Sequence, residues 1–283
     1  MRYKKKNSPL TAYRLPSPKK SFGQNFLADQ NFIDKIISAL NPQANETIIE
    51  IGAGRGALTE KLIESDANII AIELDRDLIL LLQKEFGHYE NFQLVASDAL
   101  KIDFETLLLT PDSRPLTKLV ANLPFYISTA ILQKLIQQRS SFSEMVLMLQ
   151  REVVDRITAK AGNKERGFLS VLVQAYLSVE KLFDVPPTAF RPAPKVWSSV
   201  VRFLPIKKDE VFITDEKLFR QLVSAGFVQK RKTILNNLKN APLDLREIFG
   251  NVENLLQSCH IDPQRRAETL TIEEWRNLYN FLP

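Results

Sequence analysis

Short apolar runs alternate with polar stretches of helical spacing over the first half of the chain. Residues 47–51 (Thr-Ile-Ile-Glu-Ile) run into Gly52, residues 68–72 end at Glu73, residues 92–96 end at Ser97 and Asp98, and residues 118–121 end at Asn122. A fifth run, 145–149, follows. Runs of this length, bounded by turn residues and separated by helical segments, predict the strands of a mostly parallel α/β sheet. Residues 58–65, 76–86 and 129–138 carry the helical spacing, as in Leu78, Leu81 and Leu82. Near 186–205 the pattern changes. Pro186, Pro187, Pro192 and Pro194 interrupt regular structure, and a Val-rich run over 196–204 then ends at Pro205. With a strand after 172–178 it predicts a late antiparallel addition to the sheet, in hairpin form. From 215 onward the spacing is helical, over 217–228, 230–238, 243–249, 252–259 and 272–281. A boundary falls near 206–214, where residues 206–210 read as a linker. The expected parts are a tail over 1–20, an α/β domain over 21–207 and a small all-α domain over 208–283.

Charge adds a division that hydropathy does not show. The 283 residues carry 38 Lys and Arg against 33 Asp and Glu, a net charge of +5. Residues 1–20 hold seven bases and no acid, residues 21–190 hold 16 bases and 22 acids, and residues 191–283 hold 15 bases and 11 acids. Basic ends around an acidic middle suggest a polyanionic partner, while a solvated, solubilising tail explains the first segment equally well. The single cysteine, Cys259, and two histidines, His88 and His260, are too few for a structural zinc site, which needs about four such ligands. They allow no internal disulfide, which fits a reducing cytoplasm. His88 reads as a surface loop and Cys259-His260 as a helix end, so no histidine base is expected in the chemistry. No apolar run is long enough to span a membrane. Pro9, Pro16 and Pro18 stand where a signal peptide would need its apolar core.

Gly52-Ala53-Gly54-Arg55-Gly56-Ala57 follows the first predicted strand and opens a helix. Glycines there allow a sharp turn and a close approach of ligand to main chain. Glu73, at the end of the next strand, is placed to accept hydrogen bonds from both hydroxyls of a ribose. The pattern fits NAD, FAD or S-adenosylmethionine, or a ligand-free strand–helix turn. Asp98 ends the third strand, where it can accept from an adenine amino group or simply cap the next helix.

Asn122-Leu123-Pro124-Phe125 ends the fourth strand and is the most specific motif in the chain. It suits methylation of the exocyclic N6 of adenine, whose lone pair is delocalised into the ring. Two acceptors, the Asn122 side-chain oxygen and the Leu123 carbonyl, would draw the two N6 hydrogens and free that pair. Pro124 fixes its own φ and restricts Leu123, so the carbonyl is held in direction. Phe125 offers a face for base stacking, worth about 1–3 kcal/mol. No general base or metal is required, since preorganised acceptors carry the effect. A β-turn with a core phenylalanine is the plainer reading.

With these motifs the chain resembles the rRNA adenine N6,N6-dimethyltransferase family, and within it the bacterial small-subunit (16S) enzymes. Residues 21–27 (Ser-Phe-Gly-Gln-Asn-Phe-Leu), 50–59, Glu73, 97–100, 122–128 and 190–196 (Phe-Arg-Pro-Ala-Pro-Lys-Val) resemble its motifs in order. The resemblance implies a Rossmann-like class I methyltransferase domain. It implies S-adenosylmethionine as methyl donor, with S-adenosylhomocysteine as product, held by Asn25, Leu27, Gly52, Gly54, Glu73, Asp98 and Asn122. It also implies that Phe190 covers the second face of the target base, and that the targets are two adjacent adenines in a hairpin loop near the 3′ end of 16S rRNA. The partner would be the small (30S) subunit, whose biogenesis the enzyme would assist, and no metal or membrane is implied. Two departures stand out: Phe125 where the bacterial enzymes usually carry tyrosine, and Trp197 where aspartate is common.

Lys4, Lys5, Lys6, Lys19 and Lys20 in the tail, and Lys230, Arg231 and Lys232 in an acid-free stretch from 217 to 240, are the candidate phosphate contacts. Such contacts position RNA without reading its sequence. Competing readings are a large-subunit rRNA adenine methyltransferase of the macrolide-resistance type, a DNA adenine methyltransferase, an NAD-dependent dehydrogenase and a non-enzymatic ribosome assembly factor. The dehydrogenase leaves residues 122–125 unexplained, and the assembly factor makes the pocket residues dispensable. With no coiled-coil signal, a monomer is expected.

Overall fold

The computed structural model describes residues 16–19, 23–108, 116–207, 211 and 213–282. In chain order the elements are β1 (Phe26–Leu27), α1 (Gln30–Leu40), β2 (Thr47–Ile51), α2 (Ala57–Ile63), β3 (Asn68–Glu73), α3 (Arg76–Phe86), β4 (Phe92–Ala96), α4 (Phe104–Leu107), β5 (Thr117–Asn122) and α5 (Ser128–Gln137). They continue with β6 (Glu144–Gln150), α6 (Arg151–Ile157), α7 (Phe168–Tyr176), β7 (Leu177–Val185), β8 (Phe190–Arg191) and β9 (Ser198–Pro205). Helices follow over Glu216–Gly226, Ile234–Lys239, Leu243–Phe249, Val252–Ser258 and Ile272–Asn280. Among the described residues no helix is long and apolar enough to cross a membrane.

Contacts divide the chain into two compact units, one of residues 1–134 with 185–197, the other of residues 135–184 with 198–283. In the first unit the strand order is β4-β3-β2-β5. β2 pairs in parallel with β3 and with β5, and β3 pairs in parallel with β4. All five residues of β2 are buried, as a central parallel strand requires when both faces are covered. α3 shows the one-sided burial of a helix lying on a core: Leu78, Leu82 and Phe86 are buried, while Leu80 faces water. Asp75 caps it, its Oδ1 accepting from the Asp77 N–H at 3.0 Å. β1 and β8 form an antiparallel bridge that sets Phe26 opposite Arg191 and Leu27 opposite Phe190.

In the second unit the order is β6-β9-β7, with β6 and β9 antiparallel. The expected late antiparallel strand is therefore β9. α7 buries seven of its nine residues, including Leu169, Val171, Leu172, Val173 and Tyr176. Apolar on nearly every side, it lacks the one-faced stripe that marks a helix in sequence. Helix Glu216–Gly226 packs on α7 and on Ile272–Asn280. The Phe219 ring meets Tyr176 and Tyr279 edge-on at 6.0 and 5.9 Å. Trp275 is fully buried, and a Cβ on Gly226 would stand 2.4 Å from its ring, so only glycine permits that approach. Contacts thus group the C-terminal helices with α7 and with β6, β7 and β9, a different grouping from the boundary drawn at 207/208.

One expected helix starts late. The stretch 230–238 becomes helical only at Ile234, because Thr233 takes the N-cap position and accepts from the Asn236 N–H at 3.3 Å. Lys230, Arg231 and Lys232 lie in the preceding turn.

Candidate active site

A cavity opens at the carboxyl ends of β2, β3, β4 and β5, the usual ligand position on a parallel sheet. All its lining residues belong to the first unit. The glycine loop forms one wall. Gly54 has φ +62°, and a Cβ there would lie 3.2 Å from the Phe26 ring, so its missing side chain leaves the cradle open. Arg55, in the same loop, stacks its guanidinium 4.3 Å from the Phe26 ring centroid and donates from Nη2 to the Pro16 carbonyl at 2.7 Å.

Glu73 ends β3 and ties this loop to its own turn. Its Oε2 accepts from the Gly54 N–H at 2.9 Å, and its Oε1 accepts from the Leu74 and Asp75 N–H groups at 2.8 and 2.9 Å. A carboxylate has about four acceptor directions. Three are taken, which leaves one on Oε2 for a ribose hydroxyl where the sequence suggested acceptance from two. Asp98 lines the cavity, and its Oδ1 accepts from the Leu100 N–H at 2.9 Å; that bond closes a turn and caps no helix, since the next helix starts at Phe104 with Asp103 as its cap.

Asn122 closes the far side. Its Nδ2 donates to the Asn25 carbonyl at 3.3 Å, so the amide nitrogen is engaged and Oδ1 is left as the acceptor. The turn after it is fixed by two further bonds. The Pro124 carbonyl accepts from the Ile127 N–H at 3.2 Å, and the Phe125 carbonyl accepts from Ser128 Oγ at 3.0 Å. These bonds fix the turn that follows Leu123, itself part of the cavity wall. Phe125, Tyr126 and Phe190 supply aromatic surface. Phe190 sits there at 1% exposure because the β1–β8 bridge holds it inward.

The field is negative. Glu73, Asp75 and Asp98 all line the cavity, and burial followed by the Asp98 and Glu73 charges raises the Tyr126 phenol. Burial pushes the Asp75 carboxyl up, but hydrogen bonds from Lys19 and Gln24 outweigh it and hold it below the ordinary carboxylate range. Behind the loop, burial raises Glu50 to about 7 despite a 2.6 Å hydrogen bond from Thr59 Oγ1, and the Glu73 charge adds to the rise. Carboxylates of Glu73 and Asp98 on the cavity wall, an open glycine cradle and net negative charge fit a nucleoside cofactor with a cationic centre.

The structure brings together Asn25, Gly52, Gly54, Glu73, Asp98, Asn122, Leu123, Pro124, Phe125 and Phe190. Leu27 stands apart: it is buried in the core opposite Phe190, and Phe26 beside it faces the cavity instead. Lys19 is engaged with carboxylates, its Nζ lying 2.5 Å from Asp75 Oδ1 and 2.7 Å from Asp77 Oδ2. Lys4, Lys5, Lys6 and Lys20 lie outside the described residues. Lys230, Arg231 and Lys232 are exposed and share a surface hollow with Gln229. Sequence reasoning missed Gln24, Asp75 and Tyr126. Asp75 carried a usable signal, an aspartate directly before a helix and two residues past Glu73.

A family model described as ribosomal RNA adenine dimethylase matches residues 16–283. The chain belongs to the ribosomal RNA adenine dimethylase family. Similar proteins include ribosomal RNA small subunit methyltransferase A of Hahella chejuensis, 42% identical over 264 residues, covering 93% of this chain and 92% of the relative. The protein of that description from Saccharophagus degradans is 42% identical over 278 residues, covering 98% of each. Among solved structures, a dimethyladenosine transferase from Plasmodium falciparum is similar, with a TM-score of 0.76, 28% identity and coverage of 89% of this chain and 95% of that one. As a ribosomal RNA adenine dimethylase, the chain is an S-adenosylmethionine-dependent methyltransferase acting on ribosomal RNA. Its fold is the Rossmann-like class I type with a helical C-terminal region.

Proposed function

We propose that the enzyme dimethylates N6 of two adjacent adenines in the 3′-terminal hairpin loop of 16S rRNA, as a cytoplasmic monomer acting on the small ribosomal subunit during its biogenesis. The small-subunit relatives, matched over nearly their whole length, support that choice of substrate. In this reading residues 21–207 carry the chemistry and residues 208–283 bind RNA, with Lys230, Arg231 and Lys232 on phosphates.

S-adenosylmethionine, when bound, supplies a methyl carbon open to attack, with sulfur as the leaving group. The cavity residues hold it. The open direction on Glu73 Oε2 takes a ribose hydroxyl, Asp98 takes the adenine amino group, and the charges of Glu73 and Asp98 favour a positive sulfur over a neutral one. Asn122 Oδ1 and the Leu123 carbonyl accept the two hydrogens of the target N6, which localises its lone pair for attack, and one N6 proton is released to solvent once the N–C bond has formed. Phe125 and Phe190 stack on the target base, which is cheaper to splay from a loop than from a duplex.

The observation that carries this reading is the Asn122 carboxamide, tethered at 3.3 Å by its nitrogen so that its oxygen is the group on offer. Asn122→Ala should lower the single-turnover methyl-transfer rate on the order of a hundredfold or more, by analogy with loss of one preorganised partner at other active sites. Because Asn122 also lines the cofactor cavity, the rates are compared at saturating S-adenosylmethionine, with calorimetry fixing that concentration for each variant. A variant that transfers methyl groups as fast as wild type removes the acceptor mechanism.

A further inference from the structure

Lys19, Gln24 and Asp75 form a closed hydrogen-bonded ring at the edge of the cavity. The Lys19 N–H donates to Gln24 Oε1 at 2.8 Å, Gln24 Nε2 donates to Asp75 Oδ2 at 2.8 Å, and Lys19 Nζ reaches Asp75 Oδ1 at 2.5 Å. Asp77 Oδ2, at 2.7 Å, is a second partner for the ammonium. Gln24 and Asp75 line the cavity, while Lys19 reaches it only through them. The Asp75 side chain is 3% exposed and that of Lys19 37%, so a largely covered carboxylate is met by a half-covered ammonium.

Asp75 does two further things. Its Oδ1 caps α3, and its N–H donates to Glu73 Oε1. Whatever holds Asp75 therefore holds the turn that aims Glu73 at the glycine loop. An aspartate in this position, without its ammonium, would present uncompensated charge to the cavity and would be free to leave Gln24.

We propose that Lys19 is a positioning residue for the cofactor: through Asp75 and Gln24 it preorganises the Glu73 side of the cavity, and it is not an RNA contact. The inference rests on the reading of this cavity as the S-adenosylmethionine site. Preorganisation raises affinity by removing the ordering cost from the binding step. The effect is electrostatic and partly exposed, so it weakens with salt.

The test is calorimetry of S-adenosylmethionine and S-adenosylhomocysteine with the full chain, as wild type, Lys19→Ala, Lys19→Arg and Glu73→Ala. Lys19→Ala should raise both dissociation constants about tenfold, and Lys19→Arg, which keeps the charge and donors, should return them to within about threefold. Raising salt from about 50 to about 500 mM should weaken wild-type binding more than Lys19→Ala binding. Affinity for small-subunit RNA should be the same in wild type and Lys19→Ala. Cofactor affinity unchanged in Lys19→Ala, with Glu73→Ala weakened, overturns the role of Lys19 alone. Cofactor affinity unchanged in Glu73→Ala overturns the cavity assignment and the inference with it. Weakened cofactor binding that Lys19→Arg does not restore also overturns the inference, since it marks a loss of structure without a charge-specific role.

Discussion

Glu50 is held where a carboxylate is costly. It is 2% exposed in the fully buried β2, and burial raises its carboxyl to about 7. The folded state therefore holds the proton more tightly than the unfolded chain, where the ordinary value is 4.5. The stability this confers is fully present below the unfolded value and is lost as pH rises through about 7. Glu50→Gln keeps an acceptor for Thr59 and has no charge to bury. Urea unfolding followed from pH 4 to pH 8 should show the variant gaining on wild type across that window, by up to on the order of 3 kcal/mol at the alkaline end. Parallel curves would mean that Glu50 does not titrate between the two values. At this scale the sequence was informative where a residue type is rare for its place, as with Glu73, Asp98 and Asn122. It could not show how many acceptor directions of Glu73 the backbone already occupies, because that depends on a turn two residues long and on the Gly54 N–H of the neighbouring strand's loop. Nor could it tell that Lys19 meets Asp75, since a lysine in a basic tail looks the same whether it faces phosphate or carboxylate.

Elements stabilised by their own pattern were legible, and elements stabilised by distant partners were not. β2, β3, β4 and β5 announce themselves as apolar runs ending at Gly52, Glu73, Ser97 and Asn122, and the ends of those runs are where the cavity lies. The two-residue bridge of β1 and β8 has no pattern of its own. It exists because Leu27 and Phe190 are buried together, and it is what carries residues 23–26 and Phe190 to one site. α7 was hidden by burial on nearly every face. In the C-terminal part, Thr233 moves the start of its helix to Ile234 and leaves Lys230, Arg231 and Lys232 in an exposed turn. A turn of three adjacent cations can meet successive phosphates, whereas a helix would spread them around its axis. Replacing all three with alanine should weaken binding to small-subunit RNA and lower the slope of log affinity against log salt by about 2, at roughly 0.7–0.9 per phosphate contact. Cofactor affinity should not change. An unaltered salt slope would place the RNA contact elsewhere.

For the whole molecule, the net charge of +5 is unevenly placed. Outside residues 1–20 the chain carries 31 bases against 33 acids, so the excess belongs to the first segment. The acidic middle holds Glu73, Asp75 and Asp98, which suit a cofactor that is cationic at sulfur, and the basic C-terminal part holds the proposed phosphate contacts. The central claim is that these parts together place methyl groups on two adjacent adenines of small-subunit rRNA. It is tested most directly by incubating undermethylated small subunits with the protein and S-adenosylmethionine, and locating the added mass on the rRNA by mass spectrometry. Two methyl groups on N6 of each of two neighbouring adenines near the 3′ end of 16S rRNA is the predicted result. Small-subunit rRNA left without added methyl groups, or methylation confined to the large-subunit rRNA, would contradict it.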